Sequence, residues 1–598
     1  MNLEKIAQYK EDIDKKLTSA KKKVRFASNM RLLFALGIIV SVAEYFRRDM
    51  IVLLGLAIVF LLAFSYFVSV FTKAMESVRF LETKLVILDR YEARLSNKWQ
   101  SFSDTGDWYE GLSNPLSEDL DLFGEYSLYQ YLSVAHTSAG RQCFAKTLLG
   151  QSDEDLKLRQ EAVKELIEDD AFALSFEAMG YQFNDHKRKR EEEAEKELIA
   201  YAKDNSPVPS LFLPIALGMP LLTLAAIGLG VMGILSPLYP ICMVLAQIGL
   251  TVIFDEMLAK ERDIILSFVE RVKGYEDRLD LLRKKDYQST RLKEMKADLD
   301  NVAKGIKKLQ SIAELWQWRE NFLFYWIVCG VFAWDFNLLL SLRRWKKGYG
   351  TSFEAWLSWI AKVECYLSLG VLGRIYPERT TLPTIITQET PYIKVEDGYH
   401  PLLNPQTVVS NSYEQSGEMV IITGSNMSGK STFMRMLGLN TVLAYAGGLV
   451  AAKSFVVSPM AIFTSMRVRD DVSQGISTFY GEILRIKRAV SYASEKKPML
   501  VLVDEIFKGT NSKDRILGAK AAITKLSKPW IVGIVTTHDF ELADMVSDGE
   551  IIGKNFHFEE HYVDDEIKFD YTIKTGRSQS TNAKHLMRIA GLLDREEG

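Results

Sequence analysis

Gly424, Gly429, Lys430 and Ser431 stand in the spacing G-x-x-x-x-G-K-S, filled by Ser425, Asn426, Met427 and Ser428 and followed by Thr432. Such a loop is suited to holding phosphate. Glycines let the backbone curl so that its N–H groups converge on phosphate oxygens. The helix that follows turns its positive end toward the same anion. Lys430 can reach the β- and γ-phosphates, and the Ser431 hydroxyl can ligate Mg²⁺. Further along, Asp504-Glu505 ends an apolar run, and Thr536-Thr537-His538 ends another. We assign Asp504 to the Mg²⁺ shell, Glu505 to polarising an attacking water, and His538 to sensing the γ-phosphate. A lone histidine at a strand end is more often structural, so His538 draws its weight from its company.

These residues need elements to carry them. Residues 419–423 read as a buried strand leading into the glycine loop, and the run after Thr432 reads as a helix. Residues 498–503 and 530–537 are two further apolar strands. Strands that deliver polar groups at their carboxyl ends describe an open α/β sheet. Between them, Asp470-Asp471 and Ser477-Thr478-Phe479 form a polar stretch before helical apolar spacing at Ile483, Leu484 and Ile486.

The glycine loop, the D-D…S-T-F-x-x-E segment, D-E-I-x-K-G-T-N-S-x-D and T-T-H, in that order, resemble the ATPase domain of the MutS family over residues 392–592. That family is an ABC-type ATPase group best known from DNA mismatch repair. The resemblance implies an α/β P-loop ABC-type ATPase domain, ATP and Mg²⁺ as ligands, and a homodimer with composite sites. Ser477 and Thr478 would reach the nucleotide of the partner subunit, and the 509–514 loop, with Asn511 and Asp514, would cross the interface. His400-Pro401 would lie near the base. Tyr571, Gly576, Ser580 and 590–592 resemble the closing strand and helix. Lys508, Asn511 and Arg515 depart from the family's usual Arg, Ser and Gly.

Upstream the resemblance continues in Asp119-Leu-Asp121 through Leu128, Thr137 to Arg141 and Arg159 to Val163, similar to the start of the MutS helical core. Residues 255–320 carry heptad-like apolar spacing with dense charge, as the family's lever helices do; a solvated stalk is an equal reading. Trp334, Trp345 and Trp356 read as packing anchors. With core-like sequence beginning near Asp119, no room is expected for a mismatch-reading domain. A net charge of −3 gives no global basic field for nucleic acid. The four cysteines, 143, 242, 329 and 365, form no C-x-x-C pair, so neither a standard zinc module nor a disulfide framework is expected. The mixed block 186–193 reads as a solvated helix face.

Residues 50–71 and 206–254 contain no charged residue. A spanning helix needs about 20 apolar residues. Two transmembrane hairpins are expected, near 32–71 and 211–254, with 236–240 as the second turn and the run 321–342 as a core helix. Lys15-Lys16, Lys21 to Lys23 and Arg25 place the soluble parts in the cytoplasm by the positive-inside rule; Arg47-Arg48 in the outer turn run against it. The expected division is 1–104 with the first hairpin, 105–205 helical core, 206–254 second hairpin, 255–390 levers and returning core, and 391–598 ATPase. The expected function is a membrane-anchored ATPase that clamps mismatched, branched or otherwise structured DNA as a dimer. The alternative is a membrane mechanochemical or scaffold ATPase that acts on protein or lipid without nucleic acid.

Overall fold

The computed structural model describes residues 1–598 except 110–113, 182–195, 197–198, 205–210, 267–268, 318–321, 468–477, 508–511, 564–565 and 579–598. Helices Leu3–Arg48 and Ile51–Leu95 form an antiparallel pair about a tight turn, where Asp49 takes the left-handed φ of 51° and its N–H donates to the Tyr45 carbonyl at 2.8 Å. At 1.5 Å per residue the first helix is roughly 69 Å long, about twice a bilayer core. Only the part around the turn is apolar and outward-facing, with Leu32, Leu36, Ile39, Val52 and Leu62 exposed. The opposite end is anchored through Ile6, Ile13, Leu88 and Tyr91, which are buried in the main core. Arg47 and Arg48 both pair with Glu44, at 3.4 and 2.6 Å, which offsets much of the charge that argued against an outer turn there.

The second hairpin pairs Phe212–Val231 with Leu238–Ile253. Its turn falls at 232–237, slightly earlier than the sequence suggested. Pro240 sits in the first turn of the second helix, where its missing N–H costs nothing. The apolar run 321–342 is not one core helix. It breaks at Ala333, whose φ is 46°, into Phe322–Phe332 and the start of Trp334–Leu369. Asp335, fully buried, accepts from the Tyr325 hydroxyl at 2.6 Å across this break. Phe322–Phe332 packs on the second hairpin so closely that a Cβ on Gly330 would lie 2.6 Å from Val244 Cγ1. Among the described residues three helices, Leu3–Arg48, Ile51–Leu95 and Phe212–Val231, are long and apolar enough to cross a bilayer; Leu238–Ile253, bent by 68° into Asp255–Ile265, makes a fourth if the pair is one span.

The charged run 255–320 is helical but is not a solvated stalk. It comprises Asp255–Leu266, Val269–Lys284 and Thr290–Gln317, and the chain folds back at 285–289. Glu165 fixes that turn by accepting from the N–H groups of Gln288 and Ser289, at 2.8 and 2.7 Å. Leu279, Leu282, Leu292, Met295 and Leu299 are buried in the main core, so apolar packing overrides the surface reading of the charges. Trp345 and Trp356 are buried, and Trp345 Nε1 donates to the Gly305 carbonyl at 2.7 Å, as befits packing anchors.

The described strands, in chain order, are β1 (Thr384–Ile385), β2 (Tyr392–Gly398), β3 (Asn411–Ser416), β4 (Met419–Thr423), β5 (Ser454–Val457), β6 (Ala461–Ser465), β7 (Met499–Asp504), β8 (Ile531–Thr537), β9 (Gly553–His557), β10 (Glu560–Val563), β11 (Glu566–Phe569) and β12 (Lys574–Thr575). A four-stranded sheet has the order β1-β5-β2-β3. The larger sheet runs β12-β9-β4-β8-β7-β6, parallel except at β12. Val420, Ile422, Leu500, Leu502, Val532 and Ile534 face the main core, which is shared with the helical region. Their alternates Ile421, Val501 and Val535 face a second core closed by helices Thr478–Ala493, Ser512–Leu526 and Phe540–Ser547. Burial on both faces is why these strands read as continuous apolar runs.

Candidate nucleotide site

β4 ends at Thr423 and helix Lys430–Ala446 begins at Lys430, with the glycine loop, residues 424–429, between them. Gly424 and Gly429 have φ of 151° and 110°. A Cβ at Gly424 would lie 2.9 Å from the Phe558 carbonyl oxygen, and one at Gly429 3.2 Å from the Tyr571 ring. Backbone conformation and close approach therefore both require glycine. Lys430 Nζ donates to the carbonyls of Gly424 and Ser425 at 2.8 and 2.7 Å, so the ammonium closes the loop's mouth. The Ser428 hydroxyl is buried without a hydrogen-bond partner among the described residues. Met427, at φ 66°, is 86% exposed and touches little. Thr432 lies exposed in the helix's first turn.

The adjacent strand ends complete the site. Asp504, at the end of β7, accepts from the Ser431 hydroxyl at 2.7 Å and from the Thr536 hydroxyl at 2.6 Å. A hydroxyl and a carboxylate facing each other this way are hard oxygen ligands suited to Mg²⁺. Glu505 follows at φ 52°, its N–H donating to the Thr536 hydroxyl at 3.1 Å and carbonyl at 3.2 Å. Phe507 is also left-handed, at φ 63°. Two such non-glycine residues, with only Ile506 between them, are costly and mark a turn that the surroundings hold against its preference. The turn aims the Glu505 side chain at His538, whose Nε2 lies 2.9 Å from Glu505 Oε1 and 2.8 Å from Asn426 Oδ1. Both neighbours accept, so the ring carries its proton on Nε2.

The structure thus brings Lys430, Ser431, Asp504, Glu505, His538 and Asn426 together. His400 is partly buried, its Nδ1 accepting from the Leu402 N–H at 3.3 Å. Burial, helped by the Arg435 charge, pushes its pKa down to about 3, so it is neutral at physiological pH. Asp514 sits exposed in the first turn of Ser512–Leu526. Helix Thr478–Ala493 begins at Thr478, whose side chain lies outside the described residues, as do Ser477, Asn511, Ser580 and 590–592.

Sequence reasoning missed three participants. Thr536 bridges Asp504 and Glu505; its place in T-T-H was the available signal. Glu560, at the start of β10, accepts from the Ser425 hydroxyl at 2.5 Å, a contact no motif announces. Arg515, noted only as a departure, pairs with both oxygens of Asp539 at 3.1 and 2.9 Å and so anchors the residue after His538.

Residues 420–595 match the family model of MutS domain V. The chain is 35% identical over 212 residues to the DNA mismatch repair protein MutS of Bacillus licheniformis, covering 34% of this chain and 24% of that protein. It is 33% identical over 205 residues to the DNA mismatch repair protein MutS of Aquifex pyrophilus, covering 33% of this chain and 24% of that protein. Against the DNA mismatch repair protein MutS of Geobacillus thermodenitrificans it is 30% identical over 268 residues, covering 43% of this chain and 28% of that protein. The chain therefore spans about a quarter of the length of the curated relatives it matches.

Proposed function

We propose, from the premise that residues 420–595 make this chain a member of the MutS family, that it is a membrane-anchored ATPase whose two copies close around DNA on binding ATP and reopen on hydrolysis. The observation that carries the ATPase reading is the meeting of Ser431, Asp504 and Thr536 beside the cluster of Asn426, Glu505 and His538. Lys430 and the N–H groups of residues 424–432 bind the phosphates. Ser431 and Asp504 hold Mg²⁺, which when bound neutralises charge on the phosphate oxygens. Glu505 orients the attacking water and takes its proton, and His538 holds Glu505 in place and faces the γ-phosphate. In the ABC-type arrangement, Ser477, Thr478, Asn511 and Asp514 of each copy complete the other's site. DNA as the ligand is supported by the names of the relatives. The apolar hairpins support the membrane anchor, with the soluble parts in the cytoplasm.

A second reading, an ATPase that moves protein or lipid partners without nucleic acid, is favoured by one observation. Phe212 and Phe254 at the base of the second hairpin stack edge-on against Phe336 of Trp334–Leu369, at 5.0 and 6.1 Å. The far end of that helix touches the turn after the glycine-loop helix, where the Leu449 N–H donates to the Leu369 carbonyl.

Steady-state ATP hydrolysis by the detergent-purified chain, with and without duplex, mismatched and branched DNA and structured RNA, separates the readings. Lys430→Ala serves as the inactive control. Stimulation by DNA, absent in the control, is expected. Hydrolysis unmoved by any nucleic acid would transfer the proposal to the second reading, and no hydrolysis at all would end both.

A further inference from the structure

The two helices of the first hairpin meet along an apolar seam. Leu17, Ala20 and Val24 share a small core with Val78. Nearer the turn, Phe34 packs on Phe60 and Phe67, at 6.0 and 5.6 Å. Positions 17, 20, 24, 27, 31 and 34 recur in steps of three and four, the repeat of a two-helix seam, so Arg31 stands among apolar side chains. Its guanidinium stacks on the Phe71 ring, 4.4 Å from the centroid, and its Nε is buried without a hydrogen-bond partner among the described residues. A cation in such a seam costs stability unless it finds an anion.

The depth of Arg31 says which anion. It lies 18 residues before Asp49 in the turn, about 27 Å along the helix, close to the inner edge of a bilayer core roughly 30 Å thick. Arg25 and Lys73, exposed on the two helices, lie about 36 and 35 Å from the turn, level with the headgroups, and exposed Lys22 and Lys23 follow within about 5 Å more. Residues 21–31 hold five basic side chains and no acid, and 73–82 hold two of each, so this neck is five charges positive. The outer turn differs: Arg47 and Arg48 both pair with Glu44, and Asp49 brings the local charge to zero. A guanidinium presents parallel N–H donors that match two phosphate oxygens, and lysines add point charges at the same level. We infer that the neck of the first hairpin is a binding site for the phosphodiester headgroups of anionic lipid in the cytoplasmic leaflet, with Arg31 as its central ligand. Nucleic acid is the poorer fit, since it cannot follow Arg31 to the edge of the hydrocarbon. This rests on the membrane-anchored reading of the hairpins and adds to it the class of lipid that the anchor selects.

The test is local crosslinking in a bilayer. Phe26, exposed beside Arg25 and one turn from Lys22 and Lys23, is replaced by photoreactive benzoylphenylalanine in the full-length chain. The chain is reconstituted without detergent, in phosphate-free buffer, into vesicles of equal parts phosphatidylcholine and phosphatidylglycerol. After illumination, mass spectrometry counts each lipid attached. Phosphatidylglycerol should exceed phosphatidylcholine by on the order of 5-fold, the scale for one basic side chain at an anionic surface. Raising NaCl to about 1 M should shrink that excess below about 2-fold, except for the part held by Arg31 at the edge of the core. At low salt, Arg31→Gln should bring the two yields within about 2-fold of each other. Lys22→Gln, Lys23→Gln and Lys73→Gln together leave the seam untouched and should lower the excess as well, so the inference stays testable should Arg31→Gln fail to accumulate. Equal yields without these substitutions, or an excess that survives both sets of them, would overturn the inference. A crosslink to added duplex DNA in place of lipid would overturn it too and give the neck to nucleic acid. A chain that carbonate strips from the vesicles, with no lipid attached, would instead overturn the membrane-anchored reading itself.

Discussion

The candidate nucleotide site and the second apolar hairpin are built by opposite means. At the nucleotide site, position is set by short polar contacts from three chain segments: Ser431 and Thr536 on Asp504, Asn426 and Glu505 on His538, each between 2.6 and 2.9 Å. At the hairpin base it is set by Phe212, Phe254 and Phe336, backed by Ile215, Leu258, Leu339 and Leu340. Directional bonds fail abruptly when a group moves by an ångström, whereas apolar surfaces repack. The nucleotide end is therefore built to register small displacements, and the hairpin end to follow them without a defined geometry of its own. Between the two, Arg159 donates to the Ala446 carbonyl at the end of the glycine-loop helix, at 2.9 Å, while Glu154 beside it accepts from Arg291 and Tyr366, at 2.6 and 2.5 Å. The polar manner of construction thus extends from the nucleotide site well into the helical core.

The largest expected effect lies at the polar end. Glu505→Gln keeps shape and removes the base, so steady-state turnover should fall by on the order of 10²- to 10⁴-fold with ATP binding retained. Substitutions in the hairpin should leave turnover in detergent within about 2-fold. A hairpin substitution that moved turnover by as much as Glu505→Gln would break the comparison. Next in size is Arg159→Ala, which leaves Glu154 short of a partner and the Ala446 carbonyl uncapped. Removing one partner from so buried a cluster costs about 3–5 kcal/mol, read as a lower Tm. A fall in ATP affinity along with it would mark Arg159 as part of the nucleotide site's support.

How far each end was legible in the sequence follows the same division. The glycine loop, Asp504-Glu505 and Thr536-Thr537-His538 are local in sequence, and the sheet only has to place three strand ends side by side. Buried parallel strands announce themselves as apolar runs, so the strands that bring these residues together could be read. Contacts that depend on the tertiary path could not. Glu560 on Ser425, and Asp119 on Met466 and Arg467, join residues far apart with no spacing rule between them. The charged run 255–320 read as a lever because its heptads are real; the fold-back at 285–289 depends on Glu165, which lies in another helix. Similarly, length and apolarity located the hairpins, but not Phe322–Phe332 lying against the second one. Its break at Ala333 is fixed by tertiary contacts such as Tyr325 on Asp335.

Phe336→Ala tests the apolar end more gently than Arg159→Ala tests the middle. Truncating a fully buried aromatic should cost about 3 kcal/mol, read as a lower Tm in detergent. Because the cavity would sit among residues free to repack, Phe336→Leu should restore most of it. Failure of leucine to do so would mean that the Phe212–Phe254–Phe336 cluster has a geometry as exacting as the nucleotide site, and the comparison would need redrawing.

The smallest effect is expected at a polar contact within the hairpin. Gln247 Nε2 donates to the Thr223 hydroxyl at 2.5 Å and lies 3.5 Å from the Met219 carbonyl, while its Oε1 is buried without a partner. Between apolar helices a side-chain hydrogen bond of this kind contributes only about 0.6 kcal/mol on average. Here the bond is offset by the unsatisfied oxygen, so Gln247→Leu should change stability by less than about 1 kcal/mol, in either direction. A leucine of similar volume keeps the packing against Phe212–Val231 while removing both polar groups. A loss of several kcal/mol would show that Gln247 Oε1 has a ligand in the bilayer, a water or a second hairpin from the partner copy. In that case the hairpin too would have a polar, position-sensitive element, and the division between the two regions would be one of degree.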